Sequence, residues 1–216
     1  MVENIIRRFK RAPLLTAEDI PYAVSTVHNA GMALTKHGDF IMLFRSHLAN
    51  GRSIIGMAKS IDGIHFKAEA TPFLVPATSG LFQRAEEFGV EDMRINPVEN
   101  EGFYLTYSAY SQDGVRIALA QTDDFKTIER IAVISQPDMR NVVIFPQRFG
   151  DDYIRLDRPH SEISKWAIWL SKSNDLIHWG RSERLISPQT YHWTEGKVGP
   201  GAPPIATEHG WLNIFH

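Results

Sequence analysis

Four segments of this chain repeat one another. Phe40-Ile-Met-Leu-Phe-Arg45, Phe103-Tyr-Leu-Thr-Tyr-Ser108, Tyr153-Ile-Arg-Leu-Asp-Arg158 and Trp211-Leu-Asn-Ile-Phe-His216 are aromatic-led runs of strand-forming residues. Each follows a turn signal: His37-Gly38-Asp39, Asn100-Glu101-Gly102, Gly150-Asp151-Asp152 and Glu208-His209-Gly210. That pairing predicts hairpins. The first three are followed by a further strand with a shared ending, an apolar run, then Ser or Thr, then an Asp-bearing turn. These are Ile55 to Phe66, Ile117 to Ile128 and Ile168 to Trp179. The unit recurs every ~50 to 60 residues, a spacing suited to four-stranded propeller blades.

A lone four-stranded sheet leaves two faces to cover, whereas blades stacked radially cover one another and expose only short edges. The chain is therefore expected to be all-β, a single propeller domain over 1–216. A β-sandwich could use the same strands, but its repeats have no reason to share a turn sequence. Residues 1–20 read as an arm or short helix, limited by Pro13, that covers a blade or contacts another subunit.

Composition narrows the partners. A formal net charge of −2 provides no basic field for nucleic acid or an anionic membrane, so positive groups must act locally. Without cysteine there is neither a disulfide framework nor a thiolate metal site. No apolar run has the length of a signal peptide core or a membrane span. The expectation is a soluble, cytoplasmic protein.

The chemistry-bearing residues are one acid and several scattered cations. Asp92 stands in Gly89-Val-Glu-Asp-Met-Arg-Ile95, after a glycine that permits close approach. A general acid and a turn or ion-pair residue, with Arg94 as its natural partner, both fit that position. Arg140 and Arg158 sit at adjoining hairpin ends, where they either converge on an anion or stand solvated at the surface. Arg155, three positions from Arg158, should face the other side of the strand. Lys197 lies in a Gly- and Pro-rich loop without Walker spacing. His216 reads as an anion ligand or as a plain strand residue. A glycoside-cleaving enzyme that uses phosphate needs an acid and cations to hold and aim the phosphate, but no second carboxylate to activate water.

Several runs together resemble glycoside hydrolase family 130, the β-mannoside phosphorylases: Gly89 to Ile95, Val142-Val-Ile-Phe-Pro146, Leu156-Asp-Arg-Pro159 and Gly199-Pro-Gly-Ala-Pro-Pro204. Asn29-Ala-Gly31, Phe44-Arg45 and Ile55 to Phe66 extend the likeness. The resemblance implies a five-bladed propeller and inverting phosphorolysis of β-1,4-mannosides to α-mannose 1-phosphate. Mannosyl-glucose, mannosyl-N-acetylglucosamine or manno-oligosaccharides would be the substrates. It makes Asp92 the acid, passing its proton through a mannose hydroxyl. Arg140, Arg158, Lys197 and His216 become phosphate ligands, and Asn29, Arg45, Arg52 and Arg94 contacts on the sugar side. Met93 stands where the family usually has proline. By the same resemblance, members continue for about another hundred residues, as judged against five ~50 to 60-residue blades, so the chain is expected to be truncated after three to four blades.

The competing readings are an inverting β-mannoside hydrolase, which needs a carboxylate base, and a non-catalytic carbohydrate-binding or purely structural propeller. A binding propeller would use Trp166, Trp169, Tyr191 and Trp193 as platforms, although most of these suit an interblade core. The histidines lack metal-ligand spacing, so no metal and no cofactor is expected, with inorganic phosphate as co-substrate. Oligomer size is left open, a homo-oligomer included.

Overall fold

The computed structural model describes residues 13–190 and 196–216. Most of the expected N-terminal arm, residues 1–12, lies outside the described residues, as do Tyr191 and Trp193. Strands β1 (His28–Leu34), β2 (Phe40–His47), β3 (Ser53–Ser60) and β4 (Lys67–Ala68) form the first antiparallel unit. The second comprises β5 (Gly89–Val98), β6 (Gly102–Ser111), β7 (Gly114–Thr122) and β8 (Glu129–Val133). The third comprises β9 (Met139–Ile144), β10 (Tyr153–Pro159), β11 (Ile168–Ser173) and β12 (Gly180–Ile186). A hairpin of β13 (Ile205–Thr207) and β14 (Gly210–Leu212) follows. A short α-helix, α1 (Gly80–Ala85), precedes β5 and was not foreseen in the sequence.

The units stack in chain order, and the period of two along each strand shows how. Ile41 and Leu43 join a core with Met93, Ile95, Leu105 and Tyr107 of the second unit. Their neighbours Met42 and Phe44 face the other way, under Leu15 and Ile20. Tyr104, Ile117 and Leu119 turn from the second unit toward Val142, Ile144 and Tyr153 of the third. Val143, Phe145 and Ile154 then meet Val198, Trp211 and Phe215. The second and third units thus bury both faces, as a propeller-like stack requires and a two-layer sandwich does not. The sheets do not close into a ring among the described residues.

The first two units are joined at Ser53 and Gly89, a parallel bridge between β3 and β5. Gly89 has φ +146°, and a Cβ there would lie 2.7 Å from the Ser53 amide nitrogen. Only glycine lets β3 and β5 meet so closely.

The repeated turns have one construction. Asp62 Oδ1 accepts the amides of Ile64 and His65, Asp124 Oδ1 those of Lys126 and Thr127, and Asp175 Oδ1 those of Ile177 and His178. The conserved spacing of Asp in the three endings is this local carboxylate-to-amide turn. The fourth repeat is shorter than expected. Regular pairing in Trp211–His216 ends at Leu212, and the remainder is held by the Pro200–Phe215 bridge and by reciprocal Gly199–His216 backbone bonds of 2.8 and 3.0 Å.

Candidate active site

The first strand of each four-stranded unit carries the same irregularity. His28 pairs with Arg45 and Gly31 with Leu43, leaving Asn29 and Ala30 opposite Phe44 alone. Glu91 pairs with Ser108 and Arg94 with Thr106; Arg140 pairs with Arg158 and Val143 with Leu156. Each bulge places one non-glycine residue in the left-handed region: Asn29 at φ +51°, Asp92 at +52° and Asn141 at +55°. Asn and Asp tolerate this conformation better than other side chains, and a bulge re-aims what it carries. All three line one cavity of about 470 Å³.

Asp92 therefore sits inside β5 rather than at a strand entrance, and its side chain is fixed from the first unit. Asn29 Nδ2 donates to Asp92 Oδ1 at 2.9 Å, and Arg45 Nη1 lies 3.0 Å from the same oxygen. No described residue donates a hydrogen bond to Oδ2. Arg45 is itself oriented on its other side by donating Nε–H to His28 Nε2 at 2.6 Å. Gly31 allows β1 to reach the bulge, since a Cβ there would stand 2.5 Å from the Met93 carbonyl oxygen. The ion-pair partner is Arg45, not Arg94, which makes no ion pair among the described residues and has its Nε buried without a hydrogen-bond partner.

Cations gather around this acid. Arg45, Arg94, Arg140, Arg158 and Lys197 line the cavity with His216, and Asp92 is the only carboxylate among the described lining residues. The crowding is visible in their proton affinities. Arg158 is lowered by burial and by the charge of Arg140, with Arg94 adding to it. His216 is lowered by desolvation, then by Arg158, Arg94 and Lys197. Arg94 is lowered by burial, opposed by Asp92. Mutually opposed positive charges in a half-open hollow are relieved by an anion.

Of the residues singled out in the sequence, Asp92, Arg140, Arg158, Lys197, His216, Asn29, Arg45 and Arg94 all meet in this cavity. Arg52 does not line it. It closes the turn from Leu48, whose amide donates to the Arg52 carbonyl, between β2 and β3. Arg155 faces away from Arg158 as alternation requires, buried in an ion pair of 2.8 Å with Asp157.

Asn141 and Trp166 complete the lining. Asn141 Nδ2 lies 2.9 Å from His216 Nε2, which accepts the bond. Its signal in the sequence was its place one residue after Arg140, matching Asn29 after His28 and Asp92 after Glu91. Trp166, one of the aromatics weighed as sugar platforms or interblade core, borders the cavity, with Arg158 5.4 Å and Lys197 5.6 Å from its ring centre. Among the described residues no group of His, Asp or Glu could hold a metal ion, and no helix is long and apolar enough to cross a membrane.

Fold and cavity together define a propeller-like protein with a cationic pocket around one acid among the described residues. The chain belongs to glycoside hydrolase family 130, whose family model, described as beta-1,4-mannooligosaccharide phosphorylase, matches residues 5–216. It is 36% identical to a beta-1,2-mannobiose phosphorylase of Listeria innocua serovar 6a, over 76% of this chain and 45% of the relative. It is 26% identical to a beta-1,4-mannooligosaccharide phosphorylase of Ruminococcus albus, over 99% of this chain and 64% of the relative. The solved structure of beta-1,2-mannobiose phosphorylase from Listeria innocua with beta-1,2-mannobiose superposes with a TM-score of 0.86 at 27% identity, covering 97% of this chain and 74% of that one. The chain spans roughly half to two thirds of the length of these curated relatives.

Proposed function

We propose that this chain carries the catalytic cavity of an inverting β-mannoside phosphorylase. A phosphate oxygen forms a bond to the anomeric carbon as the glycosidic C–O bond breaks. Asp92 supplies the proton to the departing oxygen through a mannose hydroxyl, and the products are α-mannose 1-phosphate and the released sugar. Arg140, Arg158, Lys197 and His216 hold the phosphate, and Asn29, Arg45 and Arg94 stand on the sugar side. The observation that carries this reading is that, among the described lining residues, one carboxylate is set among five permanent cations. A hydrolase would need a second carboxylate free to activate water. Glu91 is nearby but committed to Ser53, Arg45 and Arg140.

The linkage is the finer part of the proposal. Relatives of both kinds exist, and the 36% identity of the β-1,2 enzyme against 26% for the β-1,4 enzyme favours β-1,2-mannosides. The family description and the resemblance in sequence support β-1,4-mannosides as the second reading. We also infer a five-bladed ring, a cytoplasmic site where phosphate is abundant, and turnover without metal or cofactor. Chelation should leave activity intact.

The test is to incubate the protein with β-1,2-mannobiose, β-1,4-mannobiose and mannosyl-glucose, with and without phosphate, and to assay mannose 1-phosphate and free mannose. Phosphate-dependent sugar phosphate from at least one substrate is expected. Free mannose released without phosphate would overturn the reading. Asp92→Asn should lower kcat by about 10²- to 10⁴-fold while leaving phosphate binding largely intact.

A further inference from the structure

Glu91 lies beside the acid, buried at 8% exposure, yet it is not part of the cavity lining. Its Oε1 accepts a hydrogen bond from Ser53 Oγ at 2.9 Å. Its Oε2 lies 3.1 Å from Arg45 Nη1 and 3.4 Å from Arg140 Nη1. Arg45 comes from β2 of the first unit and Arg140 from β9 of the third, so one carboxylate of the second unit ties together groups from both neighbours. The same Arg45 nitrogen also meets Asp92 Oδ1 at 3.0 Å. Consecutive residues of a regular strand point to opposite faces, and the bulge at Asp92 is what brings both carboxylates to one guanidinium.

We propose that Glu91 is a positioning residue that sets Arg45 against the acid and restrains Arg140 beside the anion site, a role that rests on the phosphorylase reading above. By sharing Arg45 it keeps that cation from settling wholly on Asp92. Its hold on Arg140 is weaker, since 3.4 Å exceeds the ~2.7–2.9 Å of a tight charge-assisted bond, leaving that guanidinium ready to turn to an incoming oxyanion. Glu91 also offsets one positive charge in the field that the anion meets.

These roles have opposite consequences for binding and turnover. Glu91→Gln retains an oxygen for Ser53 but removes the charge, so inorganic phosphate should bind about tenfold tighter, the effect of one nearby charge at the effective dielectric of a half-open site. At the same time kcat on β-mannobiose should fall about tenfold or more as Arg45 closes on Asp92. General damage to the site would weaken phosphate binding and turnover together.

Phosphate affinity is measured by titration calorimetry, which needs no turnover, and kcat and KM by mannose 1-phosphate formation. If the wild-type protein fails to turn over any β-mannoside, the phosphorylase reading falls. The positioning role is still decided by phosphate affinity, which must tighten in Glu91→Gln. Unchanged or weaker phosphate binding overturns the proposal, as does tighter binding with undiminished kcat in an active enzyme. Should Glu91→Gln fail to fold, Ser53→Ala decides from outside the cavity. Releasing Oε1 lets Glu91 lean further onto the cations, so phosphate should bind about two- to threefold more weakly, a fraction of what a hydrogen bond to a charged group contributes. No weakening in Ser53→Ala overturns the proposal.

Discussion

Arg140 and Arg158 are directly opposite one another on β9 and β10, a cross-strand pair of like charge beside the cavity. Such pairs destabilise a sheet, and burial together with the charge of Arg140 lowers the proton affinity of Arg158. An oxyanion between them turns repulsion into two charge-assisted contacts. Inorganic phosphate should therefore stabilise the protein, by about 2.7 kcal/mol at a hundred times its Kd. Scanning calorimetry should show a rise in Tm with phosphate in the wild type and little rise in Arg158→Gln. An equal rise in both would remove Arg158 from the phosphate site.

In the phosphorylase reading proposed above, Asn29 serves the acid and not the anion. Its amide donates to Asp92 Oδ1 at 2.9 Å from the equivalent bulge of the first unit. Hydrogen bonds to charged groups contribute about 1.5–3 kcal/mol, so Asn29→Ala should cut kcat tenfold or more. Steady-state kinetics at varied phosphate should show KM for phosphate close to wild type. A rise confined to that KM would contradict the division of the cavity into an acid side and an anion side.

Much of this was legible in the sequence, for identifiable reasons. The repeat spacing and the shared turn pointed to stacked units, and the structure shows the stacking in the period of two, with residues 41 and 43 in one core and 42 and 44 in another. The final position of those aligned runs reads Arg45, Ser108, Arg158 and His216, and three of these four line the cavity. What stayed hidden depends on backbone conformation. No residue type announces a bulge, so Asp92 looked like a strand entrance, Asn141 went unnoticed, and Arg94 looked like the partner of Asp92. Trp166 was named but left between platform and core, since a tryptophan that packs against cations has the same composition signal as one in a core. Arg52 entered as a sugar-side contact through the family resemblance alone, and its turn carries it away from the lining.

The left-handed backbone at Asn141 can be separated from its side chain. Asn141→Gly relieves the positive φ but loses the bond to His216, whereas Asn141→Ala loses the bond and also strains the bulge by roughly 1–2 kcal/mol. Urea denaturation should rank the glycine variant above the alanine variant by about that margin. Both should weaken phosphate binding, because His216 loses its orienting contact in each. An alanine variant as stable as the glycine variant would show that the bulge relaxes when Asn141 is replaced.

Gly199 is a test of how tightly the anion side is packed. A Cβ there would stand 2.8 Å from both Arg158 Nη1 and Asn141 Nδ2. These are the ends of side chains and not backbone, so Gly199→Ala should fold and move the guanidinium instead. Phosphate affinity should fall about tenfold, in keeping with the loss from displacing a positioned group. Circular dichroism and titration calorimetry together read this, and wild-type phosphate affinity in a folded Gly199→Ala would mean that Arg158 does not need its present position.

Stability should fall on acidification through two histidines. His28 is lowered by desolvation, then by Arg45 and His47, and His216 by desolvation, then by Arg158, Arg94 and Lys197. Their folded values lie below the ordinary histidine value of about 6.5, so between the two the unfolded chain binds more protons than the folded one. The slope of unfolding free energy against pH is then positive in that window. Each contribution is present above the unfolded value and is lost as pH falls toward the folded value. Urea melts between pH 7.5 and 5 should show this decline, and His216→Asn should flatten it. Saturating sulfate, an anion that stays fully charged across the range, should flatten it as well, by offsetting the cations that oppose protonation of His216. A decline unaffected by either change would place its origin elsewhere in the molecule.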